Sequence, residues 1–98
     1  MVKTINVTGA LTQELLAAGD NKVVSSVWLT NIHASDAVTV DLYIEKKLTG
    51  KFYFLKSFSI ANANYSFLEK MAFNNRADQF GLFIKLNASD SAVDVIIR

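Results

Sequence analysis

Strict two-residue alternation of apolar and polar side chains constrains this chain more than any other feature. Val38, Val40, Leu42 and Ile44 interleave with Thr39, Asp41, Tyr43 and Glu45. Successive side chains of an extended strand point to opposite faces, whereas a helix repeats its apolar positions every three or four residues. The segment therefore reads as a strand with one buried face. Gln79 to Asn87 repeats the signature, with Phe80, Leu82, Ile84 and Leu86 on one side, and Val93, Val95 and Ile97 repeat it near the C-terminus.

Lys22 to Ile32 is rich in β-branched residues, and Lys51 to Ile60 carries Phe52, Phe54, Phe58 and Ile60, so both read as strands. Shorter pieces at Lys3 to Val7, Thr12 to Leu16 and Asn64 to Leu68 bring the total to about eight. Turn signals fall at Gly9, Gly19-Asp20, Leu48-Thr49-Gly50, Asn62 and Asn74-Asn75. Ala34-Ser35-Asp36 and Ala88-Ser89-Asp90-Ser91 are expected to close two hairpins. Helix has two openings, Leu11 to Ala18 and Phe67 to Asp78. The first is shorter than a comfortable isolated helix, so strand is favoured there. The second allows one helical turn at Glu69-Lys70-Met71-Ala72 before Asn74-Asn75 interrupts it. The expectation is an all-β, single-domain antiparallel β-sandwich over residues 1–98, with about eight strands in a jelly-roll or immunoglobulin-like arrangement.

A chain of 98 residues is large enough for one core and too small for two. Its 51% apolar and 19% charged residues favour collapse over disorder. Ten basic against nine acidic side chains leave no basic footprint for nucleic acid. With no cysteine, disulfides and thiolate metal sites are excluded. No apolar run approaches the roughly 20 residues of a membrane helix. Met1-Val2-Lys3 leads into alternating residues where a secretory signal needs a continuous apolar stretch, so the expected compartment is the cytoplasmic side.

Groups that could perform chemistry are sparse. His33 is the lone histidine, and Ser35 and Asp36 are too close to it in sequence to complete a convincing triad. Glu14, Asp41, Glu45, Asp78 and Asp94 could in principle pair as carboxylates, but none stands on an otherwise apolar strand face. Leu48-Thr49-Gly50-Lys51 lacks the upstream glycine and following hydroxyl of a phosphate loop, and Asp36, Asp78 and Asp90 are isolated turn residues, not a calcium loop. No catalytic, cofactor or metal residues are assigned. The large apolar side chains at Trp28, Tyr43, Tyr53 and Phe83, with Ile96, are more informative, because they fall opposite the best apolar stripes or on strands apolar on both faces. They are the candidate interface residues. Burial within the monomer and an aromatic sugar platform are the other two readings.

Val7-Thr8-Gly9, the run Leu16-Ala17-Ala18-Gly19-Asp20-Asn21-Lys22-Val23-Val24-Ser25-Ser26-Val27-Trp28-Leu29-Thr30-Asn31, and Ser35-Asp36-Ala37-Val38-Thr39-Val40 together resemble small β-sandwich structural proteins of tailed bacteriophage particles. Ile60-Ala61-Asn62-Ala63-Asn64 and the closing Ala88-Ser89-Asp90-Ser91-Ala92-Val93-Asp94-Val95 extend the likeness over nearly the whole chain. Two departures stand out: Ala77-Asp78 replaces the glycine-aspartate before the penultimate strand, and Phe52-Tyr53-Phe54 makes the middle strand unusually aromatic. The resemblance implies a non-enzymatic virion protein, a capsid decoration protein or a neck or tail component, assembled in the host cytoplasm. It further implies a homo-oligomer bound to other virion proteins, without nucleic acid, membrane or cofactor. A carbohydrate-binding module on a host-recognition appendage is the alternative. Asn31 would be the structural hallmark, bonding neighbouring backbone from a strand end.

Overall fold

The computed structural model describes residues 3–19, 22–46, 50–71, 73–74 and 80–98. Among the described residues ten strands run in chain order: β1 (Lys3–Thr8), β2 (Gln13–Leu16), β3 (Val23–Val24), β4 (Val27–Asn31), β5 (Val38–Lys46), β6 (Gly50–Ile60), β7 (Tyr65–Leu68), β8 (Phe73–Asn74), β9 (Gly81–Leu86) and β10 (Ala92–Ile97). They form two four-stranded antiparallel sheets, ordered β1-β10-β4-β7 and β2-β9-β5-β6, plus a two-stranded ladder of β3 with β8. With that small ladder set aside, the chain changes sheet at every connection except β5 to β6. This is a jelly-roll order, and the expected all-β sandwich is the observed fold.

Alternation dictates the packing. Val7, Leu29, Val93, Val95 and Ile97 project inward from one sheet, and Val40, Leu42, Leu82, Ile84 and Leu86 from the other. All ten are exposed by no more than 1%. Each buried side chain of this size contributes about 1.5 to 3 kcal/mol of transfer free energy, so these facing rows are the main source of cohesion. No residue among those described is helical, and Leu11 to Ala18 contributes β2 as expected. Around Glu69 to Met71 the chain is irregular before β8. The expected turn residues Asp20, Leu48, Thr49 and Asn75, and the carboxylate candidate Asp78, lie outside the described residues.

Two expectations are corrected. Neither β4 to β5 nor β9 to β10 is a hairpin, because each pair divides between the two sheets. Packed sheets lie ~10 Å apart, which connections as short as residues 32–37 and 87–91 span as easily as they fold back within one sheet, so loop length does not separate the two outcomes. The genuine hairpin joins β5 and β6, where Gly50 adopts φ 106°. Lys22 to Ile32 is likewise two strands and not one. The break falls at Ser25 and Ser26, whose backbone N–H groups both donate to the Arg98 carbonyl, at 2.7 and 3.0 Å.

Candidate binding surfaces

Asn31 ends β4 fully buried, and its side chain fastens the corner between the sheets. Nδ2 donates to the carbonyls of Asp36 and Ile60, both at 3.0 Å, while Oδ1 accepts from the His33 backbone N–H at 2.9 Å. One amide thus ties the β4–β5 connection to the end of β6, in the role the strand-end position suggested.

The same corner orders His33. Its Nδ1 accepts the backbone N–H groups of Ser35 (3.1 Å) and Asp36 (2.9 Å), which sets the tautomer and leaves Nε2–H to donate to Asp90 at 3.0 Å. His33, Asp36 and Asp90 offer ligand atoms within 4.8 Å of one another. A metal at Nε2 would force the proton onto Nδ1, against two donors already pointing there. The cluster is accordingly a loop clamp joining the β4–β5 and β9–β10 connections. The hydrogen bond from His33, followed by one from its own backbone N–H, holds the Asp90 carboxyl below its ordinary value. A lowered folded-state value stabilises the fold above the unfolded carboxylate's pKa of about 3.9, and that contribution disappears as pH falls through the lowered value. Thermal melts by circular dichroism across the acid range should show Asp90→Asn losing stability less steeply than the wild type below about pH 4.

The acidic candidates are dispersed. Asp41 accepts from the Ser57 N–H at 2.7 Å and lies 3.7 Å from the Lys56 ammonium. Asp94 accepts from Asn6 Nδ2 at 2.5 Å, on the other sheet. Glu14 and Glu45 lie on β2 and β5, in the same sheet as Asp41.

Tyr43, Tyr53 and Phe83 come together on the outer face of the β2-β9-β5-β6 sheet, in one register row with Glu14. Tyr43 stacks on Phe83 (centroids 5.6 Å, 16°) and meets Tyr53 at 5.2 Å. Lys51 caps the Tyr43 ring at 4.9 Å, and Lys56 caps Tyr53 at 4.7 Å. Tyr43 is consequently only 3% exposed although it points away from the core. Its neighbours and the lysine stems cover it within the monomer. Gly81 contributes to this arrangement, since a Cβ there would stand 2.8 Å from the Phe83 ring.

Trp28 lies on the other sheet, away from these three. Across β1-β10-β4-β7, Thr4, Ile96, Trp28 and Phe67 pair in one straight outer row, and Asn6, Asp94, Thr30 and Tyr65 pair in the next. Trp28 packs between Tyr65 (4.8 Å, 18°) and Phe67 (4.7 Å, 41°). Tyr65, Phe67 and Ile96 remain exposed, Tyr65 by 59%. Tyr65 and Phe67 were absent from the sequence-derived site, although their i, i+2 spacing in a short strand places them on one face.

No family model matches this chain, and no curated protein does. Among solved structures it is similar to PirA, with TM-score 0.60 and 13% identity over 98% of this chain and 91% of that one. It is also similar to the Yersinia pseudotuberculosis-derived mitogen, with TM-score 0.46 and 10% identity over 99% of this chain and 81% of that one. At such identity the likeness to PirA concerns the fold alone.

Proposed function

We propose that this protein is a non-catalytic structural module of a tailed-bacteriophage particle, a capsid decoration protein that docks on the capsid lattice through Trp28, Tyr65, Phe67 and Ile96. The observation that carries the docking role is the outer face itself: Ile96, Trp28 and Phe67 in one register row, with Tyr65 of the next row stacked on Trp28, on a sheet face that the described residues leave uncovered. Contiguous exposed apolar patches mark interaction sites, and aromatic anchors dominate the energy of protein interfaces. The virion context rests on the sequence resemblance. A neck or tail position would use the same surface.

Ring geometry favours a protein partner over a sugar. A pyranose stacks on an open aromatic face, and Trp28 is already stacked on Tyr65 and packed at a tilt against Phe67. The test is to purify particles from cells carrying this gene, identify the chain in them by mass spectrometry and locate it by cryo-electron microscopy. Trp28→Ala should weaken retention on the particle by about 30-fold, the scale of an interface anchor, while the free protein keeps its β-rich circular dichroism spectrum. Absence from particles would overturn the virion reading. A glycan-array signal abolished by Trp28→Ala would replace docking with sugar recognition.

A further inference from the structure

The longest strand, β6, is also the terminal strand of its sheet, and among the described residues it pairs with β5 alone. Its 11 residues exceed the typical five or six, and nearly all are exposed. Phe52 pairs with Ile44 and Phe58 with Val40, positions on the core-facing side of the sheet, yet they remain 53% and 42% exposed. Phe52 meets the Phe80 ring edge-on, 6.0 Å between centroids, and keeps that exposure all the same. A long edge of this kind is a template for another strand; of the devices that blunt an edge, β6 carries Lys51, Lys56 and two bulges and no proline.

We propose that two copies of this chain associate through antiparallel pairing of β6 with β6 about a twofold axis at Leu55, forming one continuous eight-stranded sheet. The occupant follows from the sequence of the strand. Centring on Leu55 sets Phe52 opposite Phe58 of the second copy, Lys51 opposite Ser59 and Gly50 opposite Ile60. The exposed phenylalanines then make two cross-strand aromatic pairs on the core side, and no lysine opposes a lysine. Bulges do occur in β6, where the pairing shifts between Leu42 and Tyr43 and between Val40 and Leu42. Both lie in the central stretch, leaving the regular arms, residues 50–52 and 58–60, to face one another. An isologous contact of this type closes on itself and consumes the β6 edge of each copy, so this contact makes a pair and not a filament. This inference is independent of the docking patch, which lies on the other sheet.

The test is sedimentation equilibrium over a concentration series, combined with cysteine crosslinking. Because the chain has no cysteine, an introduced thiol reports only its own position. Wild type should be dimeric, and Phe52→Lys should weaken the dimer by about 30-fold or more while its melting profile confirms folding. A mixture of Lys51→Cys and Ser59→Cys chains should form a crossed disulfide under mild oxidation, and neither variant alone should do so. A monomer at every concentration, a dimer lost with Trp28→Ala and not with Phe52→Lys, or no crossed disulfide would each overturn the proposal.

Discussion

Replacing Asn31 with alanine is expected to destabilise the fold by about 3 to 5 kcal/mol, because three hydrogen bonds made by one buried amide are lost together. The carbonyls of Asp36 and Ile60 lose their donor and the His33 N–H loses its acceptor, the Ile60 bond fully buried and the other two partly so. Each orphaned group carries its desolvation cost, and alanine supplies nothing in return. For a chain of this size the loss corresponds to a fall in Tm of about 15 to 30 °C. Asn31→Asp should be at least as damaging, since the carboxylate keeps an acceptor for His33 but turns negative oxygens toward two carbonyls. Thermal and urea denaturation followed by circular dichroism measure both variants. A loss under about 1 kcal/mol for Asn31→Ala would show that the corner does not depend on this amide.

Leu42→Ala is the second large effect, with an expected loss of about 3 to 4 kcal/mol. Leu42 is fully buried in β5, an interior strand paired on both sides, by β6 and β9. Neighbours held in two ladders cannot collapse into the space a shortened side chain leaves, so the cavity adds to the lost transfer energy. Leu11→Ala is the control: the same chemical change at a residue 85% exposed should shift stability by less than about 0.5 kcal/mol. Urea unfolding at fixed slope distinguishes the two.

The core was legible because alternation is a local signal with a global consequence. Val38, Val40, Leu42 and Ile44, and likewise Val93, Val95 and Ile97, point inward as their spacing requires. The backbone-bonding role of Asn31 was legible too, as the ordinary use of an amide at a strand end, whereas its full burial was not.

The candidate site was only half legible. Trp28 was recognisable as a large ring on an outward position, but its companions depended on which strand lay beside it, and the β4–β7 pairing that brings Tyr65 and Phe67 to it joins segments some 40 residues apart. Tyr43 shows the converse. Its outward position was readable, and its burial was not, because the cover comes from Phe83, Tyr53 and Lys51 on neighbouring strands.

By itself the sequence determined the all-β class, where most of the strands fall, the apolar face of β5, β9 and β10, and that a strand-end amide would bond neighbouring backbone. Those are properties of a chain and its nearest neighbours along it. Only the tertiary structure decided which strands share a sheet, turning two expected hairpins into crossings between layers and leaving β6 at an edge. Strand pairing is settled by backbone hydrogen bonds that every residue but proline can make, so side-chain pattern alone does not name the partner.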